Sequence, residues 1–419
     1  MFDKAWVAPL TLLPVPWGRQ WVGRRSAGGG GKVAPRAERQ LLIDVSVIVR
    51  EDARTGIQRV VRALLMQLLE HPPAGWTIRL VRATKYRDYR LAPALNGLPE
   101  QCGAGAPLEV RPGDLFLGLD LAAHLVPRHF GQLARWKKQG VNFYFMVYDL
   151  LPLLQPQWFN PRTQRHFARW LHSVALLADG AICISRAVRD ELEQELAGRY
   201  HLPKHSIALH HIHLGADLHT SAPSRGLPHA FDVWLDDLTQ RPTVLMVGTL
   251  EPRKGHAQAL GAFELLWGQG HDVNLVIAGK PGWKVDGLLA SLRGHPELGK
   301  RLHWLEQPSD ETLDALYRRT TGVLMASEAE GFGLPLVEAA SYGKPVLARD
   351  TPVFREVGAN AAHYFSGRQP RDLATALAEW LGLGARQPCK HGVIPWQTWA
   401  DSARQLVSCL PVDIRERSQ

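Results

Sequence analysis

Glu330-Gly331-Phe332-Gly333-Leu334-Pro335-Leu336-Val337-Glu338 sets two carboxylates eight positions apart around two glycines and a proline. Just ahead of it, Val323-Leu324-Met325 is a short apolar run that reads as a buried strand of a parallel sheet. The polar, glycine-rich stretch from Ser327 to Gly333 suits a loop whose backbone approaches a ligand closely. Pro335 suits the first helical position, where its missing N–H costs nothing, and Leu336, Val337, Ala339 and Ala340 continue a packed helix. Glu338 then falls in the first turn of that helix and Glu330 in the loop before it. A strand, a glycine loop and a helix N-terminus make an anion site, because unpaired N–H groups and the helix dipole face one point. Taken singly, Glu338 reads equally well as a complement to the helix dipole, and Glu330 as a solvated loop acid.

The same grammar recurs on both sides of this stretch. Thr243 to Val247 reads as a strand and runs into Gly248-Thr249-Leu250-Glu251-Pro252-Arg253-Lys254-Gly255, followed by a helix from His256 to Trp267. Two adjacent cations in a glycine-flanked loop at a strand's carboxyl end suit a pyrophosphate; the plainer reading is a solvated basic loop. Asn274 to Ala278, Arg301 to Gln307 and Pro345 to Arg349 read as further strands, and Asp310 to Arg319 as a helix. Earlier in the chain, Leu41 to Val45 reads as a strand, residues 52–56 as a loop, and Ile57, Val60, Val61, Leu64, Leu65 and Leu68 recur at helical spacing. Strand readings at Thr77 to Val81, Asp114 to Leu119, Val141 to Val147 and Ala181 to Ile184 alternate with helical readings at 127–139, 162–178 and 186–196. Such alternation implies doubly wound parallel sheets with right-handed crossovers, whose ligands bind outside the carboxyl ends of the strands. Asp120 and Asp149 fall at strand ends of this kind, and Gly56 closes a loop at the helix N-terminus that follows the first strand.

Glu-x7-Glu with internal Gly-Phe-Gly-Leu-Pro resembles the nucleotide-sugar signature of retaining family 4 glycosyltransferases of the GT-B fold. The resemblance covers about Leu41 to Leu410 and is most specific from Val247 to Phe365. It implies two Rossmann-like domains facing a cleft: an acceptor domain at 41–220 and a donor domain at 241–395. The Pro-, Ser- and Gly-rich residues 218–240 read as the linker, and a C-terminal helix at 396–410 is expected to cross back to the first domain. By position, Glu330 would lie beside the donor sugar and Glu338 would hold the ribose hydroxyls, with Gly331, Phe332, Gly333 and Leu334 shaping the donor loop. Arg253 and Lys254 would contact the donor diphosphate, the loop after Arg301–Gln307 would face the base, and Gly56 would present a backbone amide to the cleft. Thr55-Gly56-Ile57-Gln58-Arg59 and Gly279-Lys280-Pro281-Gly282-Trp283 look most like mannosyl- or rhamnosyltransferases using GDP-sugars in bacterial surface polysaccharide synthesis. Asp149 opens a segment that usually begins His-Asp; here Tyr148 replaces the histidine, and Leu119-Asp120 stands where many members carry another.

Length and composition agree with this frame. At 419 residues the chain can hold two domains with separate cores. A net charge of +9 fits nucleic acid, an anionic membrane face or a phosphorylated substrate, but no aromatic–basic platform supports nucleic acid. Cys102, Cys183, Cys389 and Cys409 form no C-x-x-C pair, so they read as free thiols in a reducing, cytoplasmic compartment. The histidines at 205, 210, 211, 213 and 219 match no standard metal spacing. Residues 1–40 read as a basic, Trp- and Gly-rich extension; with no amphipathic period, a disordered tail is favoured over a membrane-surface helix.

The expectation from sequence is therefore a retaining, metal-independent hexosyltransferase without a cofactor. It would move mannose or rhamnose from a GDP-sugar to a glycan or lipid-linked glycan, with possible peripheral contact at the inner membrane face. Glu330, Asp149 and Asp120 are the catalytic candidates. UDP-sugar use, or an inactive member serving as a partner subunit, are the alternatives.

Overall fold

The computed structural model describes residues 14–23, 38–50, 56–93, 103–217, 226–384 and 392–412. Within them the chain forms two compact units, one running to His213 and resuming at Trp399, the other spanning Leu214 to Thr398.

The first unit begins with helix α1 (Val15–Gly23), then β1 (Arg39–Asp44), α2 (Gly56–Glu70), β2 (Trp76–Arg82), β3 (Arg90–Leu91) and β4 (Leu115–Gly118). It continues with α3 (Phe130–Lys138), β5 (Asn142–Val147), α4 (Leu151–Leu154), α5 (Pro161–Leu177), β6 (Gly180–Cys183), α6 (Arg186–Gly198) and β7 (Ala208–His211). The strands lie in the order β3-β2-β1-β4-β5-β6-β7, parallel except for the short β2–β3 pair. Continuous apolar runs such as Leu41–Ile43 and Phe143–Val147 are buried, as a sheet covered on both faces requires.

The second unit holds α7 (Phe231–Leu238), β8 (Thr243–Val247), α8 (His256–Gly268), β9 (Asn274–Ala278), α9 (Asp286–Arg293), β10 (Leu302–Leu305) and α10 (Asp310–Arg319). After these come β11 (Gly322–Met325), α11 (Leu334–Ser341), β12 (Val346–Arg349), α12 (Pro352–Gly358), β13 (His363–Phe365) and α13 (Pro370–Leu381). Its six parallel strands run β10-β9-β8-β11-β12-β13. Helix α14 (Trp399–Cys409) belongs to the first unit, where it packs on α2. In each sheet the order reverses once, between β1 and β4 and between β8 and β11. Loops leaving neighbouring strands there turn opposite ways and open a crevice at the carboxyl edge.

Two readings of the sequence are corrected. Residues 231–238, read as linker, form α7, whose Phe231, Leu235 and Leu238 are buried; the Pro/Gly/Ser composition around it masked an i, i+4, i+7 stripe. The first part of that linker reading, 218–225, lies outside the described residues. The extension is also more than a tail. Helix α1 packs on α5 and α3 and buries Val15, Gly18 and Val22, while the rest of 1–37 lies outside the described residues. Arg19 fixes α1 in place: its guanidinium donates to the carbonyls of Ala175 (2.8 Å), Ala178 (2.9 Å) and Ser206 (2.8 Å). Two of those carbonyls end α5, where helical partners run out and a cation also meets the negative end of the dipole.

Arg19→Ala is expected to lower the unfolding free energy by about 2 kcal/mol, the scale of a charged donor lost from buried acceptors. Urea denaturation measures this; an unchanged midpoint would mean that α1 adds nothing to the unit.

Candidate functional site

The second sheet's reversal point supplies the central cluster. β8 leads to the 3-10 turn Pro252–Lys254, and β11 leads to the loop 326–333. The two connections are pinned together by the amide of Glu328 donating to the carbonyl of Arg253 at 2.7 Å. Gly255 sits at φ +74°, and a Cβ there would lie 2.4 Å from the Ala326 carbonyl oxygen, so only glycine permits this approach. The pinch brings Arg253 and Lys254 onto Glu330. One guanidinium nitrogen of Arg253 donates to Glu330 Oε2 at 2.8 Å and to the Ala329 carbonyl at 2.9 Å. Lys254 Nζ reaches Glu330 Oε1 at 2.5 Å. Arg253 Nε also lies 2.9 Å from Glu251 Oε2, as a charge contact rather than an aligned hydrogen bond.

Burial alone would raise the Glu330 pKa, but the charges and hydrogen bonds of Arg253 and Lys254 overcome it and hold the group at about 2. The neighbouring His256 is buried at the start of α8, and its Nδ1 has no hydrogen-bond partner. Burial first, then the Lys254 charge, push its pKa down to about 3 against the pull of Glu330, so the imidazole is neutral.

Gly333, at φ +97°, caps α11, and a Cβ there would meet the Phe354 ring at 2.7 Å. Gly331 and the buried Phe332 complete the turn, and Leu334 opens the helix. The helix therefore starts one residue before Pro335, which moves Glu338 from the expected first turn into the second. There it is 2% exposed and accepts from Tyr317 Oη at 2.7 Å. The Tyr317 ring stacks on Tyr342 at 5.4 Å and 9°, and Tyr342 Oη donates to Asp314 at 2.6 Å. This chain from α10 orients Glu338. Beyond β10, a cavity of about 400 Å³ is lined by Leu305–Ser309, Thr312 and Gly226–Pro228.

The first unit's reversal point carries a different device. Asp44 and Asp120 end β1 and follow β4, both buried. Asp44 Oδ1 accepts from the Ser46 amide (2.9 Å) and hydroxyl (2.5 Å), and its Oδ2 from Tyr89 Oη (2.8 Å). Asp120 Oδ2 accepts the amides of Val47 and Ile48, both at 2.8 Å. That carboxylate oxygen is engaged in holding the segment after β1. Burial pushes Asp44 up to about 7, with Ser46 opposing and the Asp120 charge adding, and pushes Asp120 up to about 6. Tyr148, in place of a histidine, is a buried strut from β5 to the Leu119 carbonyl at 2.6 Å. Asp149 Oδ1 accepts the Leu151 amide at 3.0 Å, and burial together with Asp149 pushes Glu191 on α6 up to about 7. Gly56 is the first residue of α2; the loop before it, 51–55, lies outside the described residues.

The structure thus joins Arg253, Lys254 and Glu330, and sets Glu338 on α11 with Tyr317. Asp120, Asp149 and Gly56 belong to the other unit. Sequence reasoning missed Asp44, Glu191, Glu251, His256 and Tyr317. Asp44 alone left a usable signal, an acid directly after the apolar run Leu41–Ile43.

Comparison with solved structures shows the fold. The Anabaena protein HepE in complex with UDP and glucose aligns with a TM-score of 0.56 at 16% identity, covering 88% of this chain and 95% of that one. A sucrose-phosphate synthase from Thermosynechococcus elongatus gives 0.54 at 16% identity, over 89% and 95%. The protein is a GT-B protein, with two parallel-sheet α/β units. Residues 236–388 match the family described as "Glycosyl transferases group 1", so the second unit is a glycosyl transferases group 1 domain. A "Serotype-specific mannosyltransferase WbdA" of Escherichia coli is 42% identical over 382 residues, 90% of this chain and 47% of the relative. An "O-antigen chain mannosyltransferase B" of the same organism is 26% identical over 53% of this chain and 59% of its own length. The chain spans about half the length of the WbdA proteins it matches.

Two expectations test these networks. Glu330→Gln strands two largely buried cations and should destabilise the protein by about 3 kcal/mol, the cost of breaking one side of a buried pair; an unchanged melting curve would contradict the cluster. For Asp44, the folded pKa of about 7 lies above the unfolded value. The folded state therefore holds an extra proton, and its stability falls as pH rises from about 4 to about 7. Asp44→Asn should shrink the difference between denaturation midpoints at those two pH values, and an undiminished difference would place the titration elsewhere.

Proposed function

We propose that the protein is a retaining mannosyltransferase that uses a GDP-sugar, with a glycan or lipid-linked glycan of bacterial surface polysaccharide as acceptor. The observation that carries this reading is the Glu330 carboxylate held between Arg253 and Lys254 at the sheet's reversal point. Departure of a nucleoside diphosphate needs stabilised negative charge more than a strong nucleophile. Two cations and the amides at the start of α11 supply it in this reading without a metal. With no donor bound, the charges of Arg253 and Lys254 are balanced by Glu251 and Glu330. The diphosphate takes over the cations, and Glu330 is left facing the sugar. The bond from the anomeric carbon to the diphosphate breaks, the acceptor oxygen bonds to that carbon on the same face, and its proton passes to the departing phosphate. Glu338, oriented by Tyr317, takes the ribose hydroxyls, and the cavity beside Leu305–Ser309 takes the base.

The sugar is read as mannose because the relatives at 42% and 26% identity are named mannosyltransferases. UDP-sugar use is the second reading, favoured by the UDP complex of the structural neighbour. A cytoplasmic location with peripheral contact at an anionic membrane face completes the proposal; among the described residues no helix is long and apolar enough to cross a membrane.

Thermal-shift measurements against GDP, UDP and ADP test the donor. GDP at a hundred times its Kd should stabilise the protein by about 2.7 kcal/mol, and an equal or larger effect of UDP would overturn the base assignment. Tyr317→Phe should weaken GDP by roughly 0.5–1.5 kcal/mol through the freed carboxylate, and unaltered affinity would remove Glu338 from the ribose. Arg253→Ala should lower kcat more than it raises KM, since charge on the diphosphate grows in the transition state; near-normal turnover would reduce the pair to a structural role.

A further inference from the structure

Helices α1, α3 and α5 pack on one another over one face of the first sheet. None of them contains an aspartate or glutamate. Helix α1 carries Arg19; α3 carries Arg135, Lys137 and Lys138; α5 carries Arg162, Arg165 and Arg169. Arg19 is consumed on backbone carbonyls and Lys137 in an ion pair with Asp179. The other two basic residues of α3, Arg135 and Lys138, lie in its last turn, and the three arginines of α5, spaced i, i+3 and i+7, are exposed and share one helical stripe. At the start of α5 the His124 and His166 rings stack at 6.1 Å. The charged groups that act on these two rings are Arg50, Arg128, Arg162, Arg165 and Arg169, all cations.

Aromatic surface accompanies this charge. Trp17 is 66% exposed and Trp21 36% exposed on α1, on a helix whose Val15, Gly18 and Val22 already fill the core. Lys138 Nζ stands 3.2 Å from the centroid of the Trp21 ring. A merely solvated face interleaves both signs of charge and hides its tryptophans. This one does neither.

We propose that the α1–α3–α5 face is the surface by which the protein lies on an anionic bilayer, with Trp17 and Trp21 at the headgroup level and the α5 arginines and Lys138 against lipid phosphates. Charge complementarity selects this occupant, since helices that carry cations and no acid of their own, with Asp179 already paired to Lys137, meet anionic headgroups, and indole rings favour the interface between water and hydrocarbon. The proposal rests on the peripheral-contact reading above, and it gives that reading a location.

The test is co-sedimentation of the full chain with vesicles of phosphatidylglycerol and phosphatidylethanolamine, against vesicles of phosphatidylcholine alone. Wild type should bind the anionic vesicles only, and release as salt is raised. The triple variant R162E/R165E/R169E should bind about tenfold less or weaker still, since each cation near the surface contributes separately. The double variant W17A/W21A should bind several-fold less and release at lower salt. Equal binding by wild type and both variants, or no binding of wild type to anionic vesicles at low salt, would overturn the proposal. Binding of wild type to an acidic polypeptide such as polyglutamate but not to anionic vesicles would overturn the lipid assignment. The GDP thermal shift is measured on the same samples. Its persistence in both variants shows that they are folded, and its absence in wild type counts against the donor reading while leaving the vesicle result intact.

Discussion

The reversal of strand order between β8 and β11 is the constraint on which the site depends. Because the crossovers on either side run in opposite directions, the loops after these two strands are the pair that can meet at the sheet's carboxyl edge. They meet closely: Gly255 lies where no side chain fits beside Ala326, and Glu328 is bonded through its backbone to Arg253. That contact turns residues more than seventy positions apart into one cluster of Glu251, Arg253, Lys254 and Glu330. The first sheet reverses between β1 and β4, and the same topology there gathers Asp44 and Asp120.

The two reversal points use carboxylates in opposite ways. All three groups are buried, and burial pushes every one of them toward the neutral acid. Glu330 has two cations within hydrogen-bonding distance, and their attraction exceeds the desolvation cost, so it stays ionised down to about pH 2. Among the described residues, the donors that contact Asp44 and Asp120 are hydroxyls and amides rather than cations, and the two acids hold their protons to about 7 and about 6. Neutral donors offset only part of a buried charge, whereas an ion pair at 2.8 Å in a medium of effective dielectric near 20 gains about 6 kcal/mol before desolvation. The first arrangement keeps an ionised carboxylate beside two cations. The second fixes the backbone from Ser46 to Ile48.

Helix α1 shows how little sequence is needed to attach an element when the acceptors are already waiting. Three buried side positions and one arginine suffice, because α5 ends with carbonyls that lack helical partners. The same attachment leaves both tryptophans of α1 outward beside the basic end of α3, so a packing device and a surface device share one helix of nine residues.

Much of this was legible in the sequence. Alternating apolar runs and glycine loops located the buried central strands of both sheets, with β9 and α10 at their observed bounds, because parallel strands are covered on both faces and leave no ambiguity of period. The edge strands β3, β7 and β13 were missed, being short and only partly buried. Glu330, Glu338, Arg253 and Lys254 stood out because their glycine and proline neighbours impose a local geometry that the chain itself encodes. What the sequence could not carry was partnership across distance. Nothing local ties Tyr317 to Glu338, Tyr89 to Asp44, or Arg19 to the end of α5. Those pairs exist only once crossovers and strand order bring separate elements together, and burial, which raises Asp44 and Asp120 and which the cations must overcome at Glu330, is a property of the assembled unit. The sequence determined which groups are available and where the chain must bend; the tertiary structure decided which groups meet and which of them keep their charge.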